Sequence, residues 1–97
     1  MTYRLHPEAA LEHERQVAYY EERSSGLGRR YHAATMQAIG KAVEVPHQYK
    51  VVRPPDLRKV RLRGFPFSIV YRESGGMVQV LAVAHHRRHP NYWAMRA

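Results

Sequence analysis

The first half of the chain shows the hydrophobic periodicity of a short strand followed by two helices. Residues 2–5 (TYRL) alternate polar and apolar positions, which predicts an edge strand. The segment from Pro7 to Ser24 predicts a helix, because proline suits the first helical position, where its missing N–H costs nothing. After the break SSGLG, a second helical pattern runs from Leu27 to Val45. A break this short indicates an antiparallel helical hairpin.

The second helix is apolar over a wide arc. A helix of this kind must be covered on two sides, so we expect one apolar stripe to face the first helix and the other to face a sheet. Gly40 interrupts this helix and is expected to permit the close approach of a neighbouring element.

The periodicity changes from helical to alternating in the second half, after a loop that contains VRPPD. The last predicted strand is nearly all apolar, as a central strand covered on both faces would be, and Ser-Gly-Gly before it indicates a hairpin turn. The order β-α-α-β-β-β predicts an α+β fold: an N-terminal edge strand and an antiparallel helical hairpin packed on a small, mostly antiparallel sheet. The three predicted strands of this half are RKVRLR at 58–63, FSIVYRE at 67–73 and MVQVLAVA at 77–84.

The bulk composition limits the class of protein. With 97 residues the chain is expected to form one domain, spanning 1–97. It has no cysteine, which excludes disulfides and thiolate metal sites. No signal-peptide pattern or membrane-length apolar run occurs in the sequence. We therefore expect a cytoplasmic protein with no membrane association.

The net charge of +8 is distributed unevenly. Residues 1–44 carry six basic and six acidic residues, whereas residues 45–97 carry ten basic residues against Asp56 and Glu73. An asymmetry of this kind indicates a polyanionic partner, either nucleic acid or an acidic protein segment. A solvated basic surface without a partner is the simpler alternative.

Much of the positive charge is predicted to share one surface. Because alternate residues of a strand share a face, the inward positions Val60 and Leu62 send the basic residues between them outward. We predict a polyanion-binding surface on the sheet, suited to phosphates or to the carboxylates of an acidic partner, and Lys or Arg at such positions also discourages edge-to-edge aggregation. The predicted members of this surface are Lys59, Arg61, Arg63, Arg72, Arg87 and Arg88.

The C-terminal stretch AHHRRHPNYW, residues 84–93, admits three interpretations. Metal binding by its three histidines is disfavoured, because neighbouring strand residues point to opposite faces and no carboxylate lies nearby in sequence. RNA cleavage is chemically coherent: His85 or His86 could move a proton, Tyr92 could donate or position one, and Arg61 and Arg87 could hold the phosphate. It would need no metal or cofactor. In the purely structural alternative, His85 caps the strand end and Trp93 anchors the C-terminus.

The predicted helical hairpin, the strand segments and the C-terminal stretch together resemble the RelE/ParE superfamily of type II toxin–antitoxin modules, specifically its ParE-like and plasmid-stabilisation group. The resemblance runs from about Tyr3 to Trp93, and its most specific pieces are LRGFPFSIVYR and VLAVAHHRRHPNYW. It implies a growth-arresting toxin neutralised by an acidic antitoxin that folds on binding. ParE-like members poison DNA gyrase without being enzymes, whereas RelE-like members cleave mRNA on the ribosome.

The resemblance also implies roles for individual residues. Lys59 and Tyr92 match a lysine and the C-terminal tyrosine of the nuclease branch, and Arg61 stands where that branch has a second lysine. Ser68 stands where the branch has a phosphate-holding arginine, and His86 replaces another arginine. The loss of charge at Ser68 favours the gyrase-directed branch. The alternatives are an mRNA endonuclease that uses His86, Tyr92 and Arg61 on the basic sheet face, and an inactive toxin that only binds its antitoxin.

Overall fold

The protein has an α+β fold in which a helical hairpin packs on one sheet. The computed structural model describes residues 2–88 and 91–97. The five-stranded sheet has the order β1-β5-β4-β3-β2, with β1 parallel to β5 and the other neighbours antiparallel. The predicted fold class and N-terminal edge strand are confirmed. The elements are β1 (Thr2–Leu5), α1 (Pro7–Arg23), α2 (Leu27–Glu44), β2 (Val51–Arg53), β3 (Leu57–Arg61), β4 (Phe67–Ser74), β5 (Met77–His85) and α3 (Asn91–Ala94).

Two short elements were absent from the sequence-based prediction. The segment predicted as a loop around VRPPD begins with β2, which pairs with β3 through an irregular register. Its three residues are too few to show alternation, and the two prolines after it are a loop signal. Helix α3 has four residues, too few for a helical period. The strand predicted at 58–63 begins at Leu57 and ends at Arg61.

The turn between α1 and α2 brings the first turn of α2 directly against α1. The N–H groups of Gly26 and Gly28 donate to the Glu21 carboxylate at 2.8 and 3.0 Å. A Cβ on Gly28 would lie 2.5 Å from the Val17 carbonyl oxygen, so only glycine fits there. The prediction for Gly40 is wrong, because a Cβ at that position would meet open space. The close approach belongs to the first turn of α2 rather than to its middle.

The sheet has two faces with different covers. The hairpin-covered face packs against α1 and α2 and forms the main core. On the opposite face, called here the open face, the described residues form a smaller cluster, in which Trp93 of α3 packs with Leu57, Val70 and Ala82. Trp93 is 4 % exposed, which confirms its predicted role as an anchor. Within residues 2–88 and 91–97, no helix is long and apolar enough to cross a membrane.

Candidate functional site

The open face carries part of the basic surface that the sequence predicts. Val60 and Leu62 are buried in the main core, as the alternation of β3 requires. Lys59 and Arg61 therefore point to the open face, and Arg61 is exposed. The register aligns Arg61 with Ser68 on β4. A cation and a hydroxyl group thus sit side by side at one end of this face.

Ser68 and His86 form a hydrogen-bonded pair at that same end. The Ser68 hydroxyl oxygen lies 3.0 Å from Nε2 of His86, and the serine is only 5 % exposed. The backbone N–H of His86 donates to the Pro66 carbonyl at 2.9 Å, which fixes the residue just beyond the end of β5. The contact between these two residues was not predicted, because they are separated by 18 positions in the sequence.

The surroundings of His86 favour its neutral form. Partial burial, followed by the positive charges of Arg61 and Lys59, lowers the pKa of His86 below its ordinary value. A neutral imidazole next to two cations can accept a proton while the cations attract an anion. Arg61 and Lys59 could therefore bind a phosphate, while His86 could accept one proton. A buried serine adds a hydroxyl group to this end but no charge.

The remaining predicted cations are spread over several places. Arg63 lies beyond the end of β3, and Arg87 follows β5; both are exposed. Arg72 projects from β4 near the other end of the open face, with its Nε 3.8 Å from the Asp56 carboxylate. The structure thus places Lys59, Arg61 and Arg72 on the open face, whereas Arg63 and Arg87 lie beyond the ends of β3 and β5.

Arg88 and Tyr92 belong to the α1 side of the molecule. The Arg88 guanidinium stacks on the Tyr92 ring, 3.7 Å from its centroid, and its Nη1 lies 3.9 Å from the Glu12 carboxylate of α1. Burial is the main cause that raises the pKa of Tyr92, so its hydroxyl stays protonated at neutral pH. Tyr92 therefore packs with the arginines around α3, whereas His86 is hydrogen-bonded to Ser68 and lies within the electrostatic influence of Arg61 and Lys59.

A groove of about 840 Å³ lies between α1, β5 and α3. Its floor is formed by the start of β4 and the end of β5. Aromatic rings from α1 and α3 line it together with arginines. Sequence reasoning missed this groove because it needs α3 to lie beside α1, and α3 itself was not predicted. The lining includes Arg15, Tyr19, Tyr20, Phe67, His85 and Tyr92.

One ion pair holds α3 against α1 at the wall of this groove. Arg96 makes two hydrogen bonds to the Glu12 carboxylate, at 2.6 and 2.9 Å, and these bonds are the main cause that lowers the pKa of Glu12. Arg96 also donates to the Leu81 carbonyl at 3.0 Å. The pairing of β1 with β5 ends at Val80, so this arginine supplies a partner for a carbonyl beyond the paired region.

The histidines of the C-terminal cluster point to different sides. Nδ1 of His85 accepts the Arg87 N–H at 3.0 Å, as the capping interpretation requires, and its ring packs on Phe67 of the hairpin-covered face. His86 lies with Ser68 on the open face. The third histidine, His89, is outside the described residues. No group of three or more residues suited to a metal ion occurs among the residues that the structure describes.

Comparisons with known proteins agree with this fold. The family described as "ParE toxin of type II toxin-antitoxin system, parDE" matches residues 3–90. A solved chain described as "Chromosomal ParDE TA system from P. aeruginosa" is similar, with 24% sequence identity and a TM-score of 0.60. The alignment covers 88% of this chain and 95% of that chain. A search of curated proteins found none that matches.

The class of protein follows from the fold and the family match together. The hairpin on a mostly antiparallel sheet is the fold of a type II toxin, as the resemblance to the RelE/ParE superfamily implied. Because the family match spans most of the chain, the protein belongs to the ParE toxin family of type II toxin–antitoxin systems.

Proposed function

We propose that this ParE-family protein arrests growth by inhibiting DNA gyrase when it is free, and that an acidic antitoxin neutralises it. The observation that favours gyrase as the target is the burial of Ser68 and its hydrogen bond to His86. This buried hydroxyl bonds to His86, at the position where the nuclease branch is implied to hold phosphate with an arginine. An open face without that cation is poorly equipped to stabilise the charge of a phosphorane.

A supercoiling assay tests the gyrase target directly. Purified free toxin is titrated into gyrase with relaxed plasmid, and the matched control is the same toxin mixed beforehand with equimolar antitoxin. We expect supercoiling to fall with toxin concentration and to be restored in the control. Normal supercoiling at a large excess of toxin over gyrase would contradict the proposal. DNA gyrase is an intracellular enzyme, so the proposed site of action is the cytoplasm.

The proposed antitoxin contact uses the basic open face. An acidic segment that folds on binding would gain charge-assisted contacts from Lys59 and Arg61, and these contacts weaken as salt screens them. The double variant Lys59→Gln/Arg61→Gln is expected to bind antitoxin at least tenfold more weakly at low salt. The matched control changes two exposed arginines of α2, Arg29→Gln/Arg30→Gln, and should bind as the native protein does. Equal weakening in both double variants would show that only net charge matters.

A second candidate function is ribosome-dependent mRNA cleavage. The specific observation in its favour is the environment of His86, whose pKa is lowered by partial desolvation and then by the positive charges of Arg61 and Lys59. If cleavage occurs, primer extension on a translated mRNA should show cuts in the ribosomal A site, and His86→Gln and Arg61→Ala should abolish them. Tyr92→Phe tests whether the tyrosine from the α3 side takes part. Intact mRNA in the presence of native protein would exclude this function.

Expression without the antitoxin separates both candidates from an inactive toxin. Filamentation and DNA damage indicate gyrase inhibition, whereas a rapid stop in translation indicates mRNA cleavage. Normal growth at a verified level of folded protein would indicate a chain that only binds its antitoxin.

A further inference from the structure

A second, smaller pocket lies on the open face, at the opposite end from Ser68 and His86. Its volume is about 240 Å³, and it forms where β1, β5 and β4 lie side by side. The register aligns Arg4 of β1 with Gln79 of β5, and Gln79 with Arg72 of β4. Since neighbouring strands are about 4.8 Å apart, the two arginine backbones stand roughly 10 Å apart with the glutamine between them. Ser74 and Met77 complete the lining.

The two guanidinium groups at this pocket have donors to spare. Within residues 2–88 and 91–97, the Arg4 side chain makes no hydrogen bond or ion pair with the protein. Arg72 has one ion pair, in which Nε lies 3.8 Å from Asp56, too long for a hydrogen bond. The Arg72 side chain is one-third exposed. Two like charges therefore flank one small pocket while most of their N–H groups remain free.

The chemistry of the lining selects the ligand. Arginine presents a planar fork of donors that matches the oxygens of phosphate, and the Gln79 carboxamide and the Ser74 hydroxyl can donate as well. The pocket is smaller than the 300–1,000 Å³ typical of sites for drug-sized molecules. A phosphate group with two negative charges balances both arginines, whereas a carboxylate or a backbone phosphodiester brings only one charge. These features favour a terminal or free phosphate over an acidic peptide or a nucleic-acid backbone.

We propose that the pocket formed by Arg4, Arg72, Gln79 and Ser74 is a binding site for a phosphate group, either free phosphate or a phosphomonoester. The two arginines hold the anion from opposite sides, and the glutamine amide donates from the floor between them. The proposal does not rest on gyrase inhibition, because phosphate binding is measured on the toxin alone; the pocket shares only Arg72 with the basic surface predicted from the sequence. It gives the open face two ends with different chemistry.

An NMR titration tests the site on the purified full chain. Inorganic phosphate is added at constant ionic strength, with chloride as the balancing anion, and the Gln79 side-chain amide and the arginine Nε–H signals are followed. We expect saturable shifts at Gln79, Arg4 and Arg72. A phosphomonoester and a dinucleotide phosphodiester form the other two arms; the monoester should bind at least as well as free phosphate, and the diester at least tenfold more weakly.

Matched variants separate a defined site from general attraction to a basic face. Arg72→Gln and Arg4→Gln should each weaken phosphate binding at least tenfold, while Arg30→Gln, an exposed position on α2, should change it less than twofold. Arg72→Lys keeps the charge but loses the planar guanidinium, so it should also bind more weakly than the native chain. Equal weakening by Arg30→Gln, or native binding by Arg72→Lys, would overturn the proposal. So would signals that respond to a Glu-rich peptide or an oligonucleotide but not to phosphate.

Discussion

The two faces of one sheet illustrate how the same strands serve two purposes. On the hairpin-covered face, Ile69 and Tyr71 of β4 are fully buried in the main core. On the open face, the residues between and beside them are Ser68, Val70 and Arg72, of which only Val70 is fully buried. Alternate residues of β4 therefore pack into the core on one face and present polar side chains on the other. Burial determines the residue type on one face, whereas the other face can carry hydroxyl groups and cations at little cost in stability.

The first prediction concerns this division and has the largest expected effect. Ile69→Ala removes a fully buried side chain from the main core, so we expect the free energy of unfolding to fall by roughly 2–5 kcal/mol. Arg61→Gln, an exposed position on the open face, should change it by less than about 0.5 kcal/mol. Urea unfolding followed by circular dichroism measures both. A similar loss in the two variants would mean that the open face also carries the fold.

Which face a residue of the sheet occupies could be predicted from the sequence, whereas its neighbour on the next strand could not. Alternation in RKVRLR placed Val60 and Leu62 inward and Lys59 and Arg61 outward correctly, because burial on one side is a local pattern. The pairing of Ser68 with His86 was not predictable in this way, since it depends on the register between β4 and β5. A register joins residues that are distant in sequence, and no single segment encodes it.

The α1 groove was missed for a related reason. It depends on the Glu12–Arg96 ion pair, whose members are 84 positions apart, and on a helix of four residues. Helical periodicity cannot detect an element shorter than about two turns. The third unpredicted feature, the phosphate pocket, needs Arg4 from the first strand beside Gln79 of the last, which follows from the parallel pairing of β1 with β5. The missed sites are all products of long-range contacts.

The second prediction concerns the pH dependence of stability that arises from a histidine pair between α1 and α2. His13 of α1 and His32 of α2 form a hydrogen bond of 2.9 Å between Nε2 and Nδ1, and His13 is 9 % exposed. Two ring nitrogens this close share one proton, so the pair fits together only when at least one ring is neutral. Burial, with a smaller contribution from His32, lowers the pKa of His13 to about 4 from 6.5. Among the residues that the structure describes, the Nδ1 of His13 and the hydroxyl of Tyr31 are both buried without a hydrogen-bond partner.

The pH dependence follows from that lowered pKa. In the unfolded chain His13 takes up its proton near pH 6.5, whereas the folded chain resists until about pH 4. The unfolded state therefore binds more protons in this window, and stability is complete above pH 6.5 and falls as the pH drops towards 4, by up to about 3 kcal/mol. Unfolding free energies measured at several pH values check this slope. His13→Gln should flatten it, and Arg30→Gln, an exposed position on α2 that does not titrate in this range, should leave it unchanged; an unaltered slope in His13→Gln would contradict the assignment.

The third prediction has the smallest expected effect and concerns the edge where the two faces meet. Arg96 joins α3, which covers the open face, to Glu12 of α1, which covers the other, and its side chain is 8% exposed. Arg96→Met keeps the apolar stem but leaves Glu12 and the Leu81 carbonyl without this donor, so the unfolding free energy should fall by about 1–2 kcal/mol. Arg88→Met, which removes a longer and more exposed contact to the same carboxylate, should cost less than about 0.5 kcal/mol.

A double-mutant cycle decides whether the Glu12–Arg96 pair itself holds the edge. If it does, Glu12→Gln and Arg96→Met together should destabilise the protein by clearly less than the sum of the single changes, because each single change already removes the pair. The stabilisation from the lowered pKa of Glu12 should also be present above its ordinary value of 4.5 and be lost as the pH falls through the lower folded value. Additive losses would assign the attachment of α3 to the burial of Trp93 instead. The two covers of the sheet would then be independent, and the groove between α1 and α3 could open without disturbing the core.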